Sequence, residues 1–259
     1  MHRQKSRRID ASAVAMIVIG VALVAGLAYF GYAAYDYYIG PQYTSGEVVA
    51  DESRPVKSQT VQDTAIRAPV KDAPDNKEYS DNMVGWLQVD GVDVDDALVQ
   101  YSDNEYYLKH NEYDENDIWG AYYAMDVNNM SSPESLDRVT VIFGHSNGNS
   151  EHLKFSVLKK LRDADFAAEN QYIRMWVGDK LTVWQIFAES DYPVEHNYMV
   201  ANPDDTFFID EVERMKSLSY NTYAGIDVGV DDKILILSTC TGDNYEQRYL
   251  VCAKLIASE

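Results

Sequence analysis

The sequence predicts a mostly β domain, a barrel or a sandwich, carried behind an N-terminal membrane-spanning helix. Three observations lead there. From residue 79 onward, short apolar runs recur between turn signals, with few helical stripes among them. The pair Gly178-Asp179 separates Tyr172–Val177 from Leu181–Phe187, which makes a hairpin. Ala11–Tyr35 runs without a charged side chain, enough at about 1.5 Å per residue to cross a hydrocarbon core of about 30 Å.

In chain order, residues 1–10 form a basic tail with Arg3, Lys5, Arg7 and Arg8, and the anchor is placed at 11–38. Tyr29, Tyr32, Tyr35, Tyr37 and Tyr38 gather at its far end as an interfacial belt would. The basic flank belongs in the cytoplasm, so the chain beyond is expected outside the cell membrane. A cleaved signal peptide has an apolar core of only about 7–15 residues, and a buried core helix would not carry so basic a flank. Residues 39–78 mix Ser, Thr, Asp, Lys and Pro with scattered apolar residues, the composition of a linker or stalk.

The folded domain is expected over 79–259. Val84–Val89 is a strand closed by Asp90-Gly91, and Ala97–Gln100 is a short apolar run. Trp119–Met125 and Val139–Gly144 are further strands. Leu153, Val157, Leu158 and Leu161 are spaced as one face of a short helix. After the 172–187 hairpin, Asn202-Pro-Asp-Asp205 supplies helix-start chemistry. Phe208, Val212, Met215 and Leu218 then form the stripe of a longer helix at about 205–219. The strand Ile234–Cys240 follows, and an apolar return strand over Tyr249–Ile256 ends the fold.

Formal net charge is −20, from 22 basic and 42 acidic residues, which argues against nucleic acid as a partner. Asp90, Asp93, Asp95 and Asp96 are explained better by turns and surface solvation than by a bound cation. No metal or cofactor is expected. Two cysteines rule out a disulfide scaffold. Cys252 lies in the apolar run Leu250–Ala253 and reads as a small core hydrophobe.

Cys240 ends one hydrophobic strand, His145 ends another, and Arg248 opens the return strand. A cysteine attacks as thiolate, and a neighbouring cation lowers its pKa from about 8.5. His145 as imidazolium could be that cation and then protonate a departing amine. Arg248 keeps its proton, so it can only donate hydrogen bonds or hold charge, as an oxyanion requires. Each residue alone has a plainer explanation: a structural cysteine, a chance histidine among five, a solvated edge charge. Together they describe covalent acyl transfer through a thioester.

Leu237-Ser-Thr-Cys-Thr241 with Arg248 resembles the sortase signature, and Phe143-Gly-His-Ser-Asn147 resembles the sortase histidine motif. Val84–Val89, the stretch Val99–Asn111 and the helix ahead of the cysteine strand are similar to class B sortases. The resemblance spans roughly 79–256. It implies an eight-stranded barrel-like fold and transpeptidation at the outer face of a Gram-positive membrane. Such enzymes cut the C-terminal sorting signal of a secreted protein after Thr. They pass the acyl group to an amine of a peptidoglycan precursor or a pilin. Residue by residue, it implies Cys240 as nucleophile, His145 as acid/base and Arg248 as oxyanion or substrate-positioning group. Ser238, Asn104 and Leu108 match substrate-groove positions. Thr241 stands where some class B members carry an acidic residue. A cysteine peptidase or amidase acting on wall peptides is the alternative, and an inactive anchored binding module the third.

Overall fold

The computed structural model describes residues 77–146, 153–242 and 244–258. The expected anchor over 11–38 lies outside them, as does the expected linker apart from its last two residues. Among the described residues no helix is long and apolar enough to cross a membrane.

Eight strands close into a mixed barrel in the order β1-β2-β3-β4-β7-β8-β6-β5. They are β1 (Met83–Val89), β2 (Asp95–Gln100), β3 (Tyr122–Ala124), β4 (Val139–Phe143), β5 (Tyr172–Val177), β6 (Lys180–Pro193), β7 (Ile234–Cys240) and β8 (Gln247–Ser258). β2 runs parallel to β3, and β4 parallel to β7; the other neighbours are antiparallel. Closure leaves no unpaired edge to template aggregation.

Strand alternation sorts the side chains into two sets. One buried cluster draws on every strand: Leu87, Leu98, Tyr122, Ile142, Ile173, Trp184, Leu237 and Val251. It is the barrel interior, and each fully buried aliphatic or aromatic side chain there contributes about 1.5–3 kcal/mol. The Trp184 indole N–H donates to Thr182 Oγ1 (2.8 Å), whose hydroxyl donates to the Met175 carbonyl (2.6 Å), so this polar pair is satisfied inside. Phe155, Leu158 and Leu161 join the same cluster from a 3-10 segment, Lys154–Arg162. The opposite parity faces outward. There Val141, Ile236, Leu250 and Cys252 are covered by Phe208, Val212 and Met215 of the longer helix.

Among the described residues two α-helices complete the frame, the short α1 (Ala164–Glu169) and the longer α2 (Asp205–Leu218). α2 matches the helix expected at about 205–219. It starts where expected because the Asp204 carboxylate accepts the Phe207 amide as N-cap. One expectation is corrected and two are refined. The strand expected over Trp119–Met125 is only Tyr122–Ala124. Its first residues form a turn in which Gly120 has φ +59°, and a Cβ there would lie 2.1 Å from the Tyr107 carbonyl oxygen. The short helix expected around Leu153–Leu161 is present as a 3-10 helix over Lys154–Arg162, held by its apolar plug more than by its own hydrogen bonds. Asp96 is only partly solvated: burial raises its carboxyl above the ordinary range, and Lys154 Nζ sits 3.5 Å away.

Candidate active site

Two registers bring the three candidate residues together. β4 and β7 are parallel with Phe143 opposite Ser238, so two residues further on His145 comes level with Cys240. β7 and β8 are antiparallel with Cys240 directly opposite Arg248, where Cα atoms lie about 4.5–5.5 Å apart. The parity that turns Ile236 and Leu250 outward also turns Cys240 and Arg248 outward. Thiol, imidazole and guanidinium therefore stand on three neighbouring strand ends of one face.

The end of β4 is fastened to β7. Gly144 N–H donates to the Ser238 carbonyl (3.3 Å), and the buried Thr239 hydroxyl donates to the Gly144 carbonyl (2.6 Å). Only glycine fits at 144, since a Cβ would meet the Phe155 ring at 2.7 Å. The His145 carbonyl in turn accepts the Phe155 amide (2.9 Å).

His145 Nε2 lies 2.9 Å from the Leu108 carbonyl. A carbonyl only accepts, so Nε2 carries the hydrogen and Nδ1 is left for proton exchange. Leu108 ends a 3-10 turn, Tyr106–Leu108, and packs against the cluster of Val99, Tyr107, Ala121 and Tyr123. Arg248 Nη1 donates to the carbonyls of Tyr245 (3.1 Å) and Gln247 (2.9 Å). Those bonds hold the guanidinium stem while its Nη2 edge has no partner among the described residues.

Cys240 is exposed and Cys252 buried, and neither is in a disulfide. Burial pushes the Cys252 thiol well up, with the Glu189 charge adding to it. Cys252 is inert for the reason expected of it.

The expected groove residues divide. Leu108 touches the site through the carbonyl that orients His145. Ser238 lies below Cys240 on the same face, is buried, and shares a hydrogen bond with the Tyr198 hydroxyl (2.8 Å). Asn104 is occupied locally: its amide nitrogen donates to Asp126 Oδ1 (2.7 Å) and its amide oxygen accepts the Asp126 N–H (2.9 Å). Its carbonyl accepts the Tyr123 hydroxyl (3.2 Å), which ties that loop beside β3. Asn147 of the histidine motif lies outside the described residues.

Sequence reasoning missed Tyr198. It comes from an irregular stretch after β6, where no periodicity or motif marks it. Burial raises its hydroxyl pKa, with the Ser238 hydrogen bond and the Arg248 charge pulling the other way. Thr239 was visible only as part of the cysteine motif, without its role of locking β4 to β7.

Chemically, the arrangement can deliver a sulfur nucleophile to a carbonyl, move a proton through His145 Nδ1 and meet developing negative charge with a guanidinium. No family model matches the chain. Sortase B of Listeria monocytogenes is 29% identical over 214 residues, 81% of this chain and 85% of the relative. A solved sortase B from Listeria monocytogenes is 30% identical with a TM-score of 0.59, covering 67% of this chain and 94% of that one. Staphylococcus aureus sortase B, solved as a substrate complex, shares the fold, and a sortase B has also been solved in complex with triglycine. Each of these two has a TM-score of 0.60 and 24% identity, covering 68% of this chain and 80% of that one. With 30% identity over 94% of a solved sortase B, the kinship is direct: this chain belongs to the class B sortases, which are cysteine transpeptidases.

Proposed function

We propose that this chain cleaves the C-terminal sorting signal of a secreted protein after its Thr and transfers the acyl group to an amine of a peptidoglycan precursor or a pilin. The observation that carries the reading is the rung Cys240–Arg248 with His145 level beside it. Cys240 passes its thiol proton to His145 Nδ1, the resulting thiolate attacks the Thr carbonyl, and Arg248 meets the oxyanion. His145 Nδ1 gives its proton to the departing amine, leaving a thioester on Cys240. The incoming amine attacks that thioester, gives its proton to His145 Nδ1 and releases the Cys240 thiolate. Ser238, Asn104 and Leu108 shape the approach to the thiol, Asn104 by holding its loop and Leu108 by aiming His145. The substrate and triglycine complexes of sortase B relatives support a peptide donor and an amine acceptor. The uncharged stretch at 11–35 and its basic flank support an anchored enzyme with its catalytic domain outside the cell.

Intact mass of the full chain in detergent tests this, with peptides of Asn-Pro-x-Thr and Leu-Pro-x-Thr type, with and without triglycine. An adduct on Cys240 that resolves to a joined product only when the amine is present supports the proposal. An adduct that only hydrolyses whatever amine is supplied makes the chain a peptidase. No adduct with any peptide rejects the sorting-signal reading.

A further inference from the structure

The 3-10 segment Lys154–Arg162 reaches all three functional strand ends from the barrel side. Its Phe155 amide holds the His145 carbonyl (2.9 Å). Its Leu158 carbonyl accepts the hydroxyl of buried Tyr249, one residue past Arg248 (3.3 Å). Its Lys159 ammonium donates to the carbonyl of Thr241, one residue past Cys240 (2.7 Å). The first of these ties is made by main chain and the second by a buried ring. The third depends on one half-buried, charged side chain.

That third tie falls where the chain most needs one. β7 ends at Cys240, and Thr241 is the first residue without a ladder partner. Gly242 then turns the chain with φ +102°, a conformation L side chains avoid. Beyond this turn, the Thr241 hydroxyl donates to the Asn244 carbonyl (3.0 Å) and so orders the loop side chain. The Thr241 carbonyl is left to Lys159. A hydrogen bond from an ammonium is short and about twice as strong as a neutral one. β4 and β8 hold β7 up to Cys240, and swinging the carbonyl just beyond it away would re-aim the Cys240 side chain against His145 and Arg248. A misplacement of about 1 Å in such a site costs about 100-fold in rate.

We propose that Lys159 is a positioning residue for the transpeptidation, acting through the Thr241 carbonyl to hold the main chain that presents Cys240. The proposal rests on the reading of Cys240 as nucleophile. Lys159 touches no reacting atom in this scheme. Its effect belongs to the rate of acylation and not to peptide binding.

The test is single-turnover acylation of the full chain, followed by intact mass over a range of peptide concentrations, in Lys159→Met and Lys159→Arg. Methionine keeps much of the stem and loses the donor; arginine keeps a charged donor. The expected result is a maximal acylation rate at least about tenfold lower in Lys159→Met. Half-saturating peptide and thermal midpoint should stay close to parental, and Lys159→Arg should recover most of the rate. Parental acylation in Lys159→Met overturns the proposal. So does a rise in half-saturating peptide alone, which would move Lys159 into substrate binding. Equal loss in both variants with a lowered midpoint overturns it too, leaving a purely structural role. Cys240→Ala, run beside them, separates the two levels: turnover retained there rejects the nucleophile reading itself, whatever Lys159 does.

Discussion

Two rungs of the β7–β8 ladder make an instructive pair. Ile236 faces Cys252 and, four residues along β7, Cys240 faces Arg248. Both rungs turn the same way, and each carries one of the chain's two thiols. α2 covers the first with Phe208, Val212 and Met215, so Cys252 is buried and its thiol is pushed up. At the second rung Cys240 is exposed. Cys240 also stands beside His145 and opposite Arg248. Strand position and parity are nearly equivalent; coverage and neighbours separate a buried packing thiol from an exposed one.

The sharpest way to break this comparison is Cys240→Ala. It should abolish peptide acylation with an unchanged fold, as read by intact mass and circular dichroism; continued turnover would show that the exposed rung is not the reactive one. Arg248→Lys comes next. An ammonium lacks the guanidinium fork, so acylation should fall by about 100-fold or more, at unchanged thermal midpoint. A near-parental rate would leave Arg248 as a loop brace for Tyr245 and Gln247.

The covered end has its own test. Glu189 lies opposite Val251, beside the Ala188–Cys252 pair, and burial raises its carboxyl pKa from 4.5 to about 8 against opposing hydrogen bonds from Asn221 and Ser219. The folded chain therefore keeps this proton between about pH 4.5 and 8, while the unfolded chain releases it. Stability should decline as pH rises through that window, by several kcal/mol in all. Glu189→Gln should flatten the dependence and be the more stable chain at pH 8, as followed by denaturant midpoints. An unchanged slope in the variant would mean that Glu189 ionises normally.

The smallest effect is expected at Cys252→Ala: full activity with a stability loss of roughly 1–2 kcal/mol. Iodoacetamide should meanwhile modify the native parent once, at Cys240. Two additions to the folded chain, or an inactive but folded Cys252→Ala, would erase the distinction between the rungs.

The three candidate residues stood out because each ends or begins a hydrophobic run; the structure leaves Cys240 exposed and His145 and Arg248 half-buried. α2 was legible from its cap and its stripe. Trp119–Met125 misled because an aromatic-rich run looks like a strand, yet Gly120 must turn tightly against Tyr107. Tyr198 and Lys159 were invisible for another reason. Each reaches the site through a hydrogen bond across a long sequence separation, Tyr198 to Ser238 and Lys159 to Thr241. Local pattern carries no trace of such a bond.

By itself, then, the sequence determined the β-rich class and where the hydrophobic strands end, which puts a thiol, an imidazole and a guanidinium at strand ends. Periodicity and turn chemistry are local, and those properties follow from them. Only the tertiary structure decided that β4 lies parallel beside β7, bringing His145 level with Cys240. It also decided that α2 buries one thiol and leaves the other open, and that Leu108 selects the His145 nitrogen which carries the proton. Those outcomes depend on which distant segments pack together, and packing is settled by the burial of the whole barrel rather than by any one stretch of it.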